Sequence, residues 1–224
     1  MKIIDIGRAQ FRAKGPLRFD QTHLFRGHVA HRFSEYEIVH NRDLSSGKCQ
    51  YRYPPLQYKI VGGVAMIVAV GQEAIDVLER IFCGLKEITL ARETFSIERK
   101  SLEVSREPFG MAHRPIQYRL ATPWIALDSE NYREYVESGP EEKDEILYSS
   151  LIGNLIRIAK AVRYEVPERI AATYSLKTER VVLKGQTMIG FTGALRCNFT
   201  LPDFLGIGKS CSRGYGCCLA VPEP

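Results

Sequence analysis

The chain has 224 residues, of which 45% are hydrophobic, and a formal net charge of +5. This size and apolar content can supply a real hydrophobic core, in one large domain or two small ones. The first residues, MKIIDIG, contain no apolar stretch long enough for a signal peptide or a membrane span, so we expect a cytoplasmic protein with no membrane partner. The six cysteines form no paired CxxC motif, which argues against a zinc site and predicts reduced, partly buried thiols.

The charge is unevenly distributed along the chain. Residues 1–59 hold eleven Lys and Arg against five Asp and Glu, a net of +6, whereas the remainder nets −1. A basic first quarter suits an anionic partner that docks on one region. A solvated basic face with no partner is the alternative.

Hydrophobic periodicity in the first half of the chain predicts a β-α-β-β-α-β unit. Alternation over Ile3–Ala13 indicates a strand, and Asp20 is expected to cap a helix over Thr22–Phe33. Two strands, Tyr36–His40 and Cys49–Tyr53, are expected on either side of the segment NRDLSSGK. The remaining elements are a hairpin of Leu56–Val61 and Val64–Val70 around Gly62 and Gly63, a helix over Gln72–Phe82, and charged strands from Glu87 to Arg106.

The second half predicts another unit of the same class. A strand over Ile116–Leu127 is followed by a short helix capped by Ser129 and a long helix over Glu141–Val162. Strands over Ile170–Leu176, Val181–Lys184 and Met188–Thr200 come next, the first two joined by a turn at Lys177 and Thr178. We therefore predict an α+β protein of two tandem ferredoxin-like domains with antiparallel sheets, residues 1–113 and 114–224. A single domain of 224 residues remains the alternative.

A glycine-rich loop precedes the last apolar run of the chain. Its candidate RNA-binding residues combine glycines with hydroxyls, cations and one aromatic ring: Gly206, Gly208, Lys209, Ser210, Ser212, Arg213, Gly214, Tyr215 and Gly216. Glycine allows backbone N–H groups to approach a ligand, and this set suits a phosphodiester backbone. A nucleotide-binding P-loop is disfavoured because Asp203 occupies the position of its first glycine and no helix follows. A glycine-rich hairpin without function is the other reading.

Three segments of the chain carry a family resemblance. They are LPDFLGIGKSCSRGYG near the C-terminus, TPWIAL with IGNLIRIAKAV in the second half, and YRYPPLQYKIV in the first. In these segments the chain resembles the repeat-processing endoribonucleases of CRISPR systems, the Cas-six branch of the RAMP superfamily. The resemblance implies two tandem RRM-like (ferredoxin-like) domains of the RAMP type, with the glycine-rich loop in the second.

The resemblance also implies a function in antiviral defence, the metal-independent cleavage of CRISPR repeat RNA without a cofactor. In that chemistry the 2′-hydroxyl attacks the phosphorus, while imidazoles transfer protons and cations stabilise the phosphate. No motif gathers Asp, Glu and His at the spacing of a metal site. Subunits of a CRISPR effector complex and a second copy of the chain are further partners that stay open. A non-catalytic RNA-binding subunit of such a complex is the alternative function.

The candidate catalytic residues lie in the basic first quarter. His40 matches the first member of an HxH pair in the family subgroup, and Arg42 stands in place of the second. Arginine cannot act as a base, so His28 or His31 is expected to supply the missing partner. Lys59 is expected to stabilise the transition state. Three further residues, Tyr51, Arg52 and Tyr53, are candidates for base stacking and phosphate binding, whereas His23 and His113 are interpreted as structural.

Overall fold

The computed structural model describes residues 1–40, 53–183 and 185–222. The chain divides into two compact units. The N-terminal unit comprises residues 3–107 together with 212–214, and the C-terminal unit comprises residues 1–2, 108–211 and 215–224. The expected boundary after residue 113 stays a prediction.

The N-terminal unit has the ferredoxin-like order of elements. The bounds are β1 (Lys2–Ala13), α1 (Thr22–Arg32), α2 (Glu37–His40), β2 (Leu56–Val61), β3 (Val64–Val70), α3 (Gln72–Gly84), β4 (Glu87–Leu90) and the first part of β5 (Glu93–Leu120). The strands lie in the order β2-β3-β1-β5, and β4 pairs with the start of β5. The pairs of β1 and β2 with β3, and of β4 with β5, are antiparallel. The predicted first strand, the 56–70 hairpin and the helix that follows it are confirmed.

The predicted strand over Tyr36–His40 is wrong, because Glu37–His40 form the helical turn α2. A strand would send the side chains of Ile38 and Val39 to opposite faces. In the structure both are buried in the same core, and the Val39 amide donates to the carbonyl of Tyr36 at 3.2 Å. His40 therefore ends a helical turn and not a strand. The predicted strand over Cys49–Tyr53 lies outside the described residues, apart from Tyr53.

The core of the N-terminal unit lies between its helices and one face of its sheet. Phe25 of α1 packs edge-on against Phe11 and Tyr58, with ring centroids 6.4 and 6.0 Å apart. Side chains alternate along β2, so Gln57 and Lys59 project from the opposite face to Tyr58. Both are nevertheless fully buried.

An ion pair joins β1 to β5 within the same unit. The Arg8 guanidinium binds the Glu107 carboxylate through both oxygens, with Nη2 to Oε2 at 2.8 Å, and the Ser105 hydroxyl also donates to Glu107. Burial alone would raise the pKa of Glu107, but the hydrogen bonds from Arg8 and Ser105 outweigh it and lower the pKa. The pair is therefore a charged crosslink between two strands.

The C-terminal unit repeats the same strand order with one helix missing. It contains the rest of β5, α4 (Ser129–Glu137), α5 (Pro140–Ala161), β6 (Ala172–Leu183), β7 (Gln186–Thr200) and β8 (Cys218–Ala220). Its strands pair antiparallel in the order β8-β5-β7-β6. The second helix of a ferredoxin-like unit would lie between β7 and β8. All residues from 201 to 217 are described, and they form an irregular loop with a single 3₁₀ turn over Cys211–Arg213.

Three local predictions in this unit are wrong. The predicted turn at Lys177 and Thr178 does not form, because both residues pair with β7 inside one continuous strand. The strand predicted to reach Leu127 ends at Leu120, beyond which Trp124 forms only an isolated bridge with Phe191. The cap of α4 is Asp128, whose carboxylate accepts from the Asn131 amide at 3.0 Å.

Across the three described ranges, no helix combines the length and apolar content that a membrane crossing requires.

We predict that Glu107→Gln destabilises the N-terminal unit at neutral pH, since it leaves the buried Arg8 charge without its counter-ion. The expected loss is about 3 kcal/mol, at the lower end of the range for a broken buried pair because Glu107 keeps some exposure. The full destabilisation should be seen above pH 4.5, the ordinary pKa of a glutamate. It should shrink as the pH falls through the lowered pKa that Glu107 has in the folded protein. Urea denaturation across this pH range measures it.

The exposed Glu103 on the same strand provides the matched control, Glu103→Gln. Equal effects of the two substitutions would contradict the proposed role of the Arg8–Glu107 crosslink.

Candidate functional site

An open cavity of about 270 Å³ lies in the N-terminal unit, between α1, the end of α2 and the segment 212–214. Its lining contains two imidazoles, two guanidiniums and two small residues: His23, Arg26, Gly27, Ala30, His40 and Arg213. Cationic and titratable groups therefore dominate a space large enough for part of an anionic ligand.

The helix α1 presents a single face to the cavity. Positions 23, 26, 27 and 30 follow the spacing of one helical face, whereas Phe25 and Val29 turn into the core. Gly27 and Ala30 keep this face open, and a methyl group at Gly27 would meet nothing within 4 Å. The small side chains of Gly27 and Ala30 thus leave room for a ligand beside His23 and Arg26.

His40 is held at the cavity by a backbone contact. Nη2 of Arg26 donates to the carbonyl oxygen of His40 at 3.0 Å, which ties the end of α2 to α1. The His40 side chain is partly exposed. The candidate that family resemblance singled out is thus placed among cations.

His23, which sequence reasoning interpreted as structural, also lines the cavity. Its Nδ1 lies 2.8 Å from the carbonyl oxygen of Asp20. The sequence signal was the spacing of His23, Arg26, Gly27 and Ala30, two polar and two small residues on a helix face that needs no core packing. That spacing is visible only once α1 is assigned with the correct inward face.

The other two candidate histidines do not line the cavity. His28 places Nε2 at 3.2 Å from the carbonyl oxygen of Glu87, and partial burial lowers its pKa despite that hydrogen bond. His31 is exposed near the end of α1. The structure therefore brings His23, and not His28 or His31, together with His40.

Lys59 and Tyr53 are also placed away from their expected roles. Lys59 is fully buried on the sheet face opposite to Tyr58, where Nζ donates to Oε1 of Gln57 at 3.1 Å. Tyr53 is buried as well, so its ring is not presented for base stacking. The remaining three candidates, Arg42, Tyr51 and Arg52, lie outside the described residues.

The glycine-rich loop uses much of its backbone to hold itself in place. Within the C-terminal unit, the amide of Ile207 donates to Gly216 at 2.9 Å, that of Gly216 to Pro123 at 2.8 Å, and that of Lys209 to Ile125 at 3.0 Å. These three amides are thus satisfied inside the unit. The exposed material of the loop is mainly side chain: Lys209 is exposed, and Ser210, Ser212 and Arg213 are partly exposed.

The glycines are needed where the backbone approaches other groups closely. Gly208 has φ +80°, and a Cβ there would lie 2.4 Å from Nε1 of the buried Trp124. A Cβ at Gly216 would lie 2.0 Å from the carbonyl oxygen of Ile207. Gly214, in the N-terminal unit, packs against Thr22 and the Tyr58 carbonyl and so brings Arg213 beside α1.

Tyr215 is buried, and its hydroxyl donates to the carbonyl of Val182 at 3.0 Å. The ring is therefore part of the C-terminal core and not a stacking platform. Among the residues with described placement, no group of three His, Cys, Asp or Glu side chains could hold a metal ion.

Comparison with known proteins identifies relatives over nearly the whole chain. The family model for the Cas6b N-terminal domain matches residues 2–108, and that for the Cas6b C-terminal domain matches residues 110–221. A crystal structure of Cas6b is 31% identical with a TM-score of 0.92, and the match covers 98% of this chain and 100% of that one. A crystal structure described as the CRISPR RNA processing endoribonuclease Cas6b is 27% identical with a TM-score of 0.77, covering 97% and 100%. The uncharacterized protein MJ0978 of Methanocaldococcus jannaschii is 36% identical over 144 residues, 64% of this chain and 98% of that protein.

We predict that Gly208→Ala destabilises the C-terminal unit through a steric clash. Gly185→Ala is the matched control, since Gly185 has a similar φ of +78° but open space around its Cβ position. The control should cost about 1–2 kcal/mol for left-handed backbone alone, and Gly208→Ala should add about 1–3 kcal/mol of overpacking. Thermal melts of both variants test this, and equal shifts would show that Gly208 is required only for its backbone conformation.

Proposed function

The chain belongs to the Cas6b family, and on this premise we propose that it is a metal-independent endoribonuclease that cuts CRISPR repeat RNA to produce guide RNA. The observation that carries the proposal is the cavity in which His40 lies among Arg26, Arg213 and a second imidazole. Support also comes from the 27%-identical structure whose description names RNA processing.

The reaction we propose is an internal transfer at phosphorus. The ribose 2′-hydroxyl loses its proton and O2′ forms a bond to phosphorus, while the bond from phosphorus to O5′ breaks and O5′ gains a proton. The products are a 2′,3′-cyclic phosphate and a 5′-hydroxyl, so no water or metal is consumed. His40 transfers one of the two protons, because imidazole exchanges protons near neutral pH.

Arg26 and Arg213 supply the positive charge that this reaction needs. The phosphorane that forms on attack carries more negative charge than the starting diester, and fixed guanidiniums stabilise it without being deprotonated. Planar guanidinium forks also bind two phosphate oxygens at once. The role expected of Lys59 is therefore proposed here for the two arginines that line the cavity.

The exposed and partly exposed side chains of the glycine-rich loop are further candidates for RNA binding. Lys209, Ser210 and Ser212 can donate to phosphate oxygens, and Arg213 lines the cavity. The glycines, among them Gly206, Gly208, Gly214 and Gly216, give the loop its shape. Binding of RNA by this loop would then depend on its side chains more than on its backbone amides.

One observation favours the second candidate, a non-catalytic RNA-binding subunit. Arg42 stands where the family subgroup has a second histidine, and arginine cannot transfer a proton. The deciding assay is incubation of the pure protein with repeat RNA in EDTA. Cleavage at one position supports the enzyme and its independence of metal, whereas tight binding of intact RNA supports the subunit.

We predict that His40→Ala slows single-turnover cleavage by about 10²-fold or more with little change in RNA affinity, since a proton-transfer group acts on the transition state. His113→Ala, an exposed histidine on β5, is the control. Quench-flow rates and filter binding separate the two effects. Wild-type rates in His40→Ala would remove His40 from the mechanism.

For the loop, we predict that Lys209→Ala and Arg213→Ala each flatten the plot of log affinity against log salt by about 0.7, the value for one phosphate contact on a single strand. Lys160→Ala, an exposed lysine in α5, is the matched control and should leave the slope unchanged. Unchanged slopes in both loop variants would mean that the loop shapes the fold without contacting RNA.

A further inference from the structure

We propose that His23 is the general base of this site, taking the 2′-hydroxyl proton through Nε2, while His40 protonates the leaving oxygen. The assignment rests on the proposed endoribonuclease function and adds a residue that the family pattern in the sequence did not indicate. It starts from the contact of one ring nitrogen.

The hydrogen bond at Nδ1 fixes which nitrogen of His23 is free. A backbone carbonyl oxygen can only accept, so Nδ1, 2.8 Å from the Asp20 oxygen, must carry a proton. In the neutral ring the proton is then absent from Nε2, which keeps its lone pair. His23 is exposed and lines the cavity, so this lone pair is accessible to a ligand there.

The carbonyl that fixes the ring is itself well anchored. Asp20 lies in the 3₁₀ turn Phe19–Gln21, which is closed by the Gln21 amide donating to Arg18 at 3.0 Å. The Arg18 guanidinium binds both oxygens of the Asp20 carboxylate, at 3.0 and 2.9 Å. The hydroxyl of Thr22 donates to the Phe19 carbonyl at 2.6 Å. His23 is thus oriented by a hydrogen-bonded turn at the start of α1.

His40 is left for the acid role. Among the described residues that line the cavity, His23 and His40 carry the two imidazoles, whereas Arg26 and Arg213 remain charged and cannot transfer a proton. If Nε2 of His23 receives the 2′-hydroxyl proton, the protonated ring of His40 must supply the proton that O5′ gains. His23 gains the proton of the 2′-hydroxyl and His40 gives its proton to O5′, so the two rings exchange protonation states in each turnover.

This pairing also accounts for the substitution at position 42. A second histidine at that position is not required if α1 supplies the partner. Arg42 can then act as a cation, because arginine keeps its positive charge whatever the protonation state of the groups around it.

The first test uses His23→Asn, because the side-chain amide of asparagine can replace the Nδ1 donor while offering no group at the position of Nε2. The bond to Asp20 is kept and the base is removed. Single-turnover cleavage should fall by about 10²-fold or more while RNA affinity stays within about twofold. His113→Asn is the control. Should the asparagine variant fail to fold, His23→Gln, which puts an amide near the position of Nε2 but offers no proton acceptor of comparable basicity, tests removal of the base without retaining the bond to Asp20.

The second test separates base from acid with repeat RNA whose scissile 5′-oxygen is replaced by sulfur. A thiolate leaves without a proton, so this substrate should restore His40→Ala towards the wild-type rate and should leave His23→Asn slow. Restoration of His23→Asn with His40→Ala still slow would overturn the assignment of roles.

The outcomes distinguish this inference from the function on which it rests. A wild-type protein that cuts repeat RNA, together with His23→Asn at the wild-type rate, overturns the role of His23 alone. A wild-type protein that binds the RNA and leaves it intact in both substrates overturns the proposed function and this inference together.

Discussion

The hydrogen bond from Arg26 to the carbonyl oxygen of His40 is the contact on which the site depends. It ties the short helical turn α2, which ends at the open cavity, to α1, whose opposite face is anchored in the core by Phe25 and Val29. Because the acceptor is the backbone carbonyl oxygen of His40, its imidazole remains available for chemistry. The guanidinium therefore serves structure and charge at once, which a lysine with its flexible stem would do less well.

The glycine-rich loop shows how a motif can be required for a fold and also contribute to a site. Gly208 and Gly216 are needed where the backbone passes close to Trp124 and Ile207, and the loop amides of Ile207, Lys209 and Gly216 are satisfied internally. What remains for a ligand is a set of side chains whose positions these glycines fix. Arg213 of this loop belongs to the N-terminal unit and lines its cavity.

Much of the fold could be predicted because its signals are local. The alternation of Ile3–Ala13, the Gly62-Gly63 hairpin and the helical periodicity of Gln72–Phe82 depend on neighbours in sequence, and all three are confirmed. The errors arose where tertiary contacts outweigh local pattern. Ile38 and Val39 form a helical turn because both must enter one core, and Lys177 and Thr178 stay extended because β7 pairs with them. Likewise, the face of Lys59 follows from which side of β2 carries α1, and the position of His23 follows from how α1 packs.

The chemistry of the cavity follows from what its lining includes and omits. Among its described lining residues there are two imidazoles and two guanidiniums, and no carboxylate. Asp20, whose carbonyl oxygen contacts the ring of His23, has its carboxylate paired with Arg18, and that hydrogen bond lowers its pKa and keeps it ionised. In the proposed reaction the guanidiniums of Arg26 and Arg213 balance the charge on the phosphorane. Proton transfer is then proposed for the two imidazoles, one held by a hydrogen-bonded turn at the start of α1 and the other at the tethered end of α2.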